Sequence, residues 1–517
     1  MVRAVFNLGG LIVQRDELCA HLGVKAFDKM MNKLTFVHVE PVGPPKRAFA
    51  FREKTTGVDK LAAKQIRILY LPRACLSAIV AAGVDVEIML PPVVAMRGVP
   101  RADAEIKPNQ QIIVDYLMAN VFTEARIARG MGSAILDLRA GFGKSFVAAA
   151  LIARLGMRAL FITTKKPLKM QAIIDLRGFM GPGVIVGAYG ELKKSDPTSV
   201  VENQDITVII IDSAMKLEHA FFAQYSVIIF DEVHSYCSTV RQEIFWRTNG
   251  RACLGMSATT SDRIDNFDGI AHKALCADGR VIAADAIPGF GYDDIAFDCN
   301  VSLVAYKGAP EYTQVLTNPS NGKMSCALMH AQITRDPTRM ELVMREIMDL
   351  YNWTGEQGQK HCIYVFSEIR EPLGRMAEQL RRVIGNVEPV QVVDAEEIIE
   401  ADEAINVDEA PDAIVGEFIG GITNDEISDI KANSRILLTT YGYASTGISI
   451  NKMTAIVFLT SRRSGFKQIL ARIMRRGSDM SIKRQVVDII DSNTPLRSQL
   501  SSRKLAYKHY NMNIAKR

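Results

Sequence analysis

Short runs rich in Val and Ile alternate with longer amphipathic stretches from about residue 109 onward. The runs fall at 133–138, 159–163, 207–211, 227–230 and 252–257, and again at 362–366, 389–393, 435–440, 455–459 and 486–490. Continuous apolar runs separated by helix-length segments are typical of a parallel sheet covered by helices on both faces. Two consecutive sets of about five strands predict two α/β domains in tandem, joined near residues 289–294.

The first 105 residues follow a different pattern, with Pro-rich breaks at 41–45 and 91–92. We predict a small α+β accessory domain there, since a length of 517 residues suits about three domains. This segment carries 15 basic and 10 acidic side chains, and residues 461–517 carry 14 and 3. Residues 386–430 carry 14 acidic side chains and no Lys or Arg. The basic segments indicate a polyanion partner. A charge pattern that only maintains solubility explains them equally well.

No segment approaches the roughly 18 uninterrupted apolar residues of a membrane span, and the N-terminus lacks the apolar core of a secretory signal. We therefore expect an intracellular protein, cytoplasmic or nuclear, with no membrane partner. The eight cysteines form no CxxC pair, which favours reduced core residues over a zinc site or a disulfide framework.

A glycine-bearing turn follows the first apolar run, with the sequence Gly-Phe-Gly-Lys-Ser at residues 141–145. A strand, such a turn and a helix N-terminus surround a phosphate chain with backbone N–H groups, and the helix dipole favours its negative charge. Lys144 would reach the terminal phosphates of ATP, and the hydroxyl of Ser145 would bind Mg²⁺. Leu138 stands where the full phosphate-loop pattern begins with a glycine, which leaves an ordinary turn as the alternative.

An acidic pair ends the apolar run at 227–230, where Asp231 and Glu232 are followed by Val233 and His234. The carboxyl end of a neighbouring parallel strand is the place from which a carboxylate can face the phosphate loop. Asp231 would hold Mg²⁺ through water, and Glu232 would orient and deprotonate the attacking water. An exposed acidic pair without function is less consistent with its position after a phosphate loop.

The segment 231–234 resembles the DExH box of superfamily-two helicases, and Ser-Ala-Thr at 257–259 is similar to their next motif. Five further segments resemble that superfamily in its order, namely 107–110, 161–171, 363–367, 436–449 and 468–475. Ala471 replaces a glycine of the last motif, and Asp212 occupies the place of a common nucleic-acid-binding Thr. The resemblance spans residues 107–475.

Two RecA-like domains with a small N-terminal α+β accessory domain are the fold that this resemblance implies. The implied boundaries are residues 1–104 for the accessory domain, 105–292 and 293–495 for the RecA-like domains, and 496–517 for a basic tail. Arg472 and Arg475 lie three residues apart, which predicts that both point from one helix face towards the transferring phosphoryl group. Since Lys144 and Asp231 belong to the first domain, ATP is expected between the two domains, and its hydrolysis would drive their movement.

The resemblance also assigns roles to individual residues. Those implied in catalysis are Lys144, Asp231, Glu232, Gln468, Arg472 and Arg475. Those implied in ATP binding are Gln110, Gly141, Gly143, Lys144, Ser145 and Gly447, with Ser145 and Asp231 as Mg²⁺ ligands. Those implied in nucleic-acid binding are Lys165, Lys166, Gln171, Thr440 and Thr446. Those implied in coupling the two sites are His234, Ser257 and Thr259.

Within the superfamily, the chain looks most like viral helicases of the poxvirus transcript-release and phage recombination type. The supporting segments are 140–145, 336–339 and 487–491, followed by Arg503 and Tyr507. The resemblance implies an ATP-dependent DNA helicase or translocase with 3′-to-5′ polarity that acts in viral transcription or genome maintenance, with transcription or replication proteins as partners. An RNA helicase is the first alternative, because no residue reveals whether a 2′-hydroxyl is read. The second alternative is a nucleic-acid-binding assembly factor whose motor is vestigial. Against it, the sequence contains all of the catalytic groups that an active motor is expected to have.

Overall fold

The computed structural model describes most of the chain and divides it into two compact units, Met1–Asp294 and Ile295–Arg517. The described residues are 2–39, 45–59, 64–101, 106–139, 141–190, 201–260, 263, 265–292, 297–320, 322–385, 414–419, 429–430, 432–444, 450–462, 464–474 and 478–517. The predicted strand at 389–393 and most of the acidic tract at 386–430 lie outside them.

The chain begins with a mixed sheet and a separate hairpin. The strands are β1 Arg3–Asn7, β2 Gly10–Gln14, β3 Thr35–His38, β4 Lys46–Phe49, β5 Arg52–Asp59, β6 Lys64–Leu71 and β7 Asp85–Ile88. The helices are α1 Arg15–Leu22, α2 Val24–Lys33 and α3 Leu76–Ala81. The sheet order is β5-β6-β2-β1-β7, and β3 pairs with β4. Phe6, Leu11, Leu18 and Phe27 are buried in a core of this region's own.

The N-terminal sheet is fastened to the first parallel sheet by buried polar contacts. The guanidinium of Arg73 is fully buried and donates hydrogen bonds to the carbonyls of Gly130 at 3.0 Å and Gly250 at 2.7 Å. The amide of Asn249 donates to the carbonyl of Leu8 at 3.0 Å. Residues 1–104 therefore have their own core and yet belong to the same compact unit as the parallel sheet.

The first parallel sheet has the order β10-β11-β9-β12-β13-β8-β14. Its strands are β8 Gly132–Asp137, β9 Ala159–Thr163, β10 Val186–Ala188, β11 Ile206–Ile210, β12 Val227–Asp231, β13 Ala252–Ser257 and β14 Ile282–Ala283. The accompanying helices are α4 Pro108–Asn120, α5 Glu124–Ala128, α6 Lys144–Leu155, α7 Lys166–Met180, α8 Ile211–Ala214, α9 His219–Phe222 and α10 Asp268–Leu275. Phe161 enters the core on one face, while its neighbours Leu160 and Ile162 enter the core on the other.

The second unit repeats this architecture with the order β17-β18-β16-β19-β20-β15-β21. Its strands are β15 Cys299–Tyr306, β16 Ile363–Ser367, β17 Val415–Phe418, β18 Ile436–Thr440, β19 Ala455–Phe458, β20 Arg484–Asp491 and β21 Asn513–Lys516. The helices are α11 Cys326–Ile333, α12 Pro337–Asn352, α13 Glu371–Ile384, α14 Tyr441–Ala444, α15 Phe466–Leu470 and α16 Leu500–His509. The predicted fold class, two tandem RecA-like α/β sheets with an additional N-terminal sheet, is confirmed.

Within the two parallel sheets, the strands that were not predicted are β10, β14, β15, β17 and β21. All except β15 have at most four residues and lie at sheet edges, and such short strands leave little room for an apolar run. The strand β15 is longer but alternates buried and partly exposed residues over its first half. Residues 496–517, expected as a basic tail, instead form α16 and β21, and β21 pairs in parallel with β15.

None of the helices in the described ranges is long and apolar enough to cross a membrane. Five of the eight cysteines are buried as free thiols, and Cys326 is exposed.

Candidate active site

The phosphate loop connects β8 to α6 through two glycines with left-handed backbone conformations. Gly141 has φ of 82° and Gly143, the N-cap of α6, has φ of 97°. Residues with a side chain rarely adopt such angles, and a Cβ at Gly143 would lie 2.6 Å from Nε2 of Gln110. The loop therefore keeps the N-terminus of α6 open for an anion, which fits the phosphates of ATP.

Gln110 holds this loop in place from the start of α4. Its side chain is 4% exposed, its Oε1 accepts a hydrogen bond from the N–H of Lys107 at 3.0 Å, and its Nε2 donates to the carbonyl of Phe142 at 2.9 Å. The residue expected to bind the nucleotide is thus in contact with the loop that would surround the phosphates. Its two polar groups fix the loop relative to the N-terminus of α4.

Lys144 and Glu232 form an ion pair at the mouth of the loop. The Nζ of Lys144 lies 2.5 Å from Oε1 of Glu232. Burial alone would lower the pKa of Lys144, but the attraction of Glu232 and Asp231 outweighs it and raises that pKa. Burial opposes the charge of Glu232 in the same way, and the attraction of Lys144 and His234 nevertheless lowers its pKa. Both groups are therefore charged at neutral pH.

Asp231 is the last residue of β12 and lies beside Glu232. Burial, followed by repulsion from Glu232, raises the pKa of Asp231 to about 7. Glu232 has a left-handed φ of 51°, a strained conformation for a residue with a side chain, and its Oε2 lies 3.4 Å from Nδ1 of His234. Two adjacent carboxylates that repel each other fit a divalent cation, which would relieve their repulsion.

Ser145 is the second residue of α6 and is half-buried. No group of three or more His, Cys, Asp and Glu side chains within the described residues could hold a metal ion. Mg²⁺ typically takes one or two protein ligands together with water and substrate phosphates, and Ser145 with Asp231 would suit that requirement.

The three residues expected to couple ATP and nucleic-acid sites lie in contact. The Nδ1 of His234 lies 2.7 Å from Oγ of Ser257 and 3.2 Å from Oγ1 of Thr259. The N–H of Thr259 also donates to Oγ of Ser257 at 3.0 Å. They meet because β12 and β13 are paired neighbours, and both motifs follow the carboxyl ends of these strands.

The residues expected to grip nucleic acid in the first unit begin at the end of β9. Lys165 is the N-cap of α7 and Lys166 is its first residue, exposed on the surface. Gln171 lies one turn further and donates a hydrogen bond to Asp175 at 2.7 Å. Asp212, in the place of a common nucleic-acid-binding Thr, instead accepts hydrogen bonds from Arg241 at 3.1 and 3.3 Å.

In the second unit, Thr440 ends β18 and its Oγ1 accepts a hydrogen bond from the N–H of Tyr443 at 3.2 Å. Thr446 and Gly447, the other candidates of this motif, lie outside the described residues. Tyr441 is 1% exposed and stacks on Phe366 with ring centroids 5.4 Å apart, which confirms that it packs in the core.

The arginine motif departs from the single helix that its spacing predicts. The helix α15, which contains Gln468, ends at Leu470, and Arg472 follows in a tighter turn. Its N–H donates to the carbonyl of Ile469 at 3.0 Å, an i to i−3 bond, and the N–H of Ile473 donates to Leu470 at 3.2 Å. Arg472 therefore lies beyond the end of α15, in a tighter turn that also contains the buried Ile473. That Arg472 and Arg475 point to the same side stays a prediction. Arg475 lies outside the described residues.

An aromatic cluster against the phosphate loop was not predicted. The ring of Phe142 lies 5.5 Å from both Phe290 and Tyr292, measured between centroids. The guanidinium of Arg139 lies 4.1 Å from the centre of the Tyr292 ring, and the N–H of Arg139 donates to the Tyr292 hydroxyl at 3.1 Å. The segment before the junction of the two units therefore packs directly on the loop. The sequence contains no signal of this contact, because the glycines of this segment indicate only a break between domains.

The segments behind the viral-branch resemblance form buried ion pairs in the second unit. Arg339 donates to Asp491 at 2.6 Å, and Asp488 accepts from Arg503 at 2.7 Å and from the hydroxyl of Tyr507 at 2.7 Å. Burial raises the pKa of Asp488, although the attraction of Arg503 opposes this shift. These residues stabilise the sheet and the helices beside it.

The chain is similar to a family of known proteins. The family model described as "Type III restriction enzyme, res subunit" matches residues 103–262. "Putative ATP-dependent RNA helicase QP509L" of African swine fever virus (isolate Pig/Kenya/KEN-50/1950) is 30% identical over 425 residues, 80% of this chain and 75% of that protein. "Putative helicase 161L" of Invertebrate iridescent virus 6 is 20% identical over 424 residues, 78% of this chain and 81% of that protein.

Among solved structures, T4 UvsW is similar with a TM-score of 0.34 and 14% sequence identity, over 100% of this chain and 99% of that chain. This similarity does not separate one branch of helicases from another. The identity shared with QP509L over most of both chains shows that this chain belongs to the superfamily-two helicases, the family of ATP-dependent helicases that includes these viral proteins.

Proposed function

We propose that this helicase moves along a strand of DNA in the 3′-to-5′ direction, with Mg-ATP as its fuel. The observation that carries the proposal is the ion pair of Lys144 and Glu232 beside Asp231, at the N-terminus of α6. A permanent cation, a paired carboxylate and a helix N-terminus are the groups that bind a triphosphate and activate water.

In the mechanism, Lys144 exchanges one anionic partner for another. The phosphates of ATP at the N-terminus of α6 compete with Glu232 for the Lys144 ammonium. Once Lys144 has moved to the phosphates, the largest attraction that offsets the burial of Glu232 is lost, and the pKa of Glu232 rises. Glu232 becomes a stronger base at the moment when substrate is present, and its Oε2 accepts the proton of the attacking water.

Ser145 and Asp231 would hold Mg²⁺, which when bound neutralises charge that develops on the phosphates. Arg472 and Arg475 are proposed to complete the site by contacting the transferring phosphoryl group. His234, Ser257 and Thr259 would transmit the state of the ATP site to the nucleic acid through the hydrogen bonds that connect β12 and β13. Lys165, Lys166, Gln171, Thr440 and Thr446 would contact the strand.

ATP turnover with and without single-stranded DNA tests this proposal. We expect Glu232→Gln and Arg475→Ala each to reduce turnover by roughly 100-fold or more, since each removes a group that acts in the transition state. Arg154→Ala is the matched control, because it removes an exposed cation that pairs with Asp115 at the far end of α6. Substantial residual turnover in both active-site variants would overturn the assignment and favour an assembly factor with a vestigial motor.

RNA is the second candidate substrate, since the relatives that are 30% identical are named RNA helicases. ATPase stimulation by single-stranded DNA and RNA of equal length and sequence distinguishes the two. If RNA stimulated ATP turnover more strongly than DNA, the proposed substrate would be RNA, and a contact with the 2′-hydroxyl would be implied. On either substrate, the viral relatives favour a role in viral transcription or genome maintenance, with transcription or replication proteins as partners.

A further inference from the structure

The last part of the chain has a basic surface, of which Arg462, Lys483 and Arg517 pair with carboxylates of other segments. Residues 461–517 carry 14 Lys and Arg against 3 Asp. Two of these, Asp488 and Asp491, are buried against Arg503 and Arg339, and Asp479 is exposed. Three of the cations, Arg472, Arg484 and Arg503, are buried as well, so that the surface of the segment keeps a large excess of positive charge.

Part of this surface forms an open groove with a volume of about 790 Å³. Its polar lining includes Ser492, Asn493, Arg497, Ser498, Ser501 and Lys504, and none of its lining residues is acidic. Arg497 and Lys504 are exposed, and neither has an ion-pair partner within the described ranges. Two unpaired cations in a concave surface without carboxylates favour an anionic ligand.

The wall that carries both cations is held rigidly. A 3-10 helix, Pro495–Gln499, continues directly into α16 and begins where Oγ1 of Thr494 donates to the carbonyl of Asp491 at 3.0 Å. Gln499 points inwards and its Oε1 accepts a hydrogen bond from Ser461 at 2.8 Å. Arg497 and Lys504 are seven residues apart, two helical turns, and both line the groove.

The groove also lies where parallel sheets commonly bind ligands. Ser492, Asn493 and Thr494 follow the carboxyl end of β20, and the N–H of Ser492 donates to the carbonyl of Tyr306 at the end of β15, at 2.9 Å. The crevice outside the carboxyl ends of the strands is the usual ligand edge of such sheets. Thr440 ends β18 at this same edge of the sheet.

We propose that this groove binds the phosphodiester backbone of a nucleic-acid strand, with Arg497 and Lys504 each neutralising one phosphate. The inference rests on the proposed function, because it requires that the chain binds nucleic acid, and it adds a contact that none of the helicase motifs supplies. A phosphate group is the shared chemistry of a strand and of a free phosphate ion, and the test separates these two sources.

The test compares the full-length Arg497→Gln/Lys504→Gln variant with the wild type. Binding of a single-stranded DNA oligonucleotide is measured by fluorescence anisotropy over a range of salt concentrations. Each lost phosphate contact reduces the slope of log affinity against log salt by about 0.7 on single strands, so that we expect a reduction of about 1.4. An unchanged melting temperature verifies that the variant is folded.

Arg345→Gln/Arg382→Gln is the matched control. Both arginines are exposed on helices of the second unit, and α12 and α13 pack on the opposite sheet face from α16. The control should keep the wild-type slope. A groove variant with the wild-type slope and affinity would overturn the proposal, as would an equal loss in the control.

Two further results separate the possible failures. If the wild type bound no DNA or RNA oligonucleotide even at low salt, the proposed function would fail and this inference with it. If calorimetry showed that the groove residues are required for binding inorganic phosphate while oligonucleotide binding is unaltered in the variant, the groove would be a small-anion site. The strand assignment alone would then be overturned.

Discussion

The ammonium of Lys144 lies 2.5 Å from the carboxylate of Glu232, across the mouth of the phosphate loop. The two residues are far apart in the sequence and meet because α6 begins at the end of β8 while Glu232 follows β12 in the same sheet. Each keeps the other charged against the effect of burial. The state of this pair therefore determines both how the loop attracts phosphate and how basic Glu232 is.

Lys144→Met should abolish ATP turnover by removing the cation that the phosphates require. We expect a loss of about 100-fold or more, the scale of removing one group that stabilises transition-state charge. The pKa of Glu232 should rise at the same time, because burial is then no longer offset by Lys144. Steady-state ATPase assays measure the loss, with Arg154→Met, on the same helix, expected to match the wild type. Turnover within threefold of the wild type would contradict the role of Lys144.

Asp231→Asn should stabilise the protein at high pH. The pKa of Asp231 is raised on folding from 3.8 to about 7, so that the folded state binds its proton more tightly and the free energy of unfolding falls as pH rises through this window. Asn has no such proton. The variant should unfold at the wild-type temperature near pH 4 and be more stable by roughly 1–4 kcal/mol at pH 8, since one pKa unit is about 1.4 kcal/mol.

Thermal unfolding at a series of pH values measures this difference. Asp115→Asn, an exposed carboxylate in a surface ion pair, is the control and should show no comparable trend. A constant difference between Asp231→Asn and the wild type over the whole pH range would show that Asp231 does not titrate in this window.

Ser257→Ala should uncouple strand separation from ATP hydrolysis. The hydroxyl of Ser257 contacts His234 at 2.7 Å and the N–H of Thr259 at 3.0 Å, so that its loss leaves only the longer contact between His234 and Thr259, at 3.2 Å, to join the two motifs. We expect unwinding to fall by about tenfold, equivalent to about 1.4 kcal/mol, and ATP turnover to fall by less. Parallel unwinding and ATPase assays check this, with Ser235→Ala as a neighbouring control. Equal losses in the two assays would argue against a coupling role.

Tyr292→Ala should raise the KM for ATP by about tenfold, because the Tyr292 ring contacts both Phe142 and the guanidinium of Arg139, contacts worth about 1 kcal/mol each. Tyr292→Phe keeps the ring and loses only the oxygen that accepts from the N–H of Arg139. Its KM should rise by about two- to threefold, since a hydrogen bond at the weak end of the usual range contributes about 0.5 kcal/mol. Steady-state kinetics distinguishes the variants, and equal KM values for Ala, Phe and wild type would exclude a positioning role.

Arg73→Met should destabilise the first unit by about 3 kcal/mol, because it leaves the buried carbonyls of Gly130 and Gly250 without their donor. Arg67→Met is the control, since Arg67 makes ion pairs at the surface, which contribute less than about 1 kcal/mol. Urea unfolding of both variants measures the difference. A loss no larger than that of the control would show that the Arg73 hydrogen bonds do not hold the N-terminal sheet in place.

The sequence predicts the centre of each parallel sheet better than its edges. Central strands such as β9 are buried on both faces. Burial on both faces requires a continuous apolar run, which is visible in the sequence. The edge strand β21 is exposed along its length and pairs with β15, so that no local pattern distinguishes it from a basic tail. The spacing of the arginine motif also did not predict that α15 ends at Leu470 and that a tighter turn carries Arg472.

The sequence by itself determined which chemistry this protein carries, because Lys144, Asp231 and Glu232 each stand directly after an apolar run or a glycine turn, where a parallel sheet exposes polar side chains. Only the tertiary structure decided how these groups act on one another. The pairing of Lys144 with Glu232, the position of Tyr292 on the phosphate loop and the burial of Asp488 and Asp491 all join residues that are distant in the chain. Charge and pKa depend on such neighbours and on the loss of water around them, and neither can be read from residue spacing.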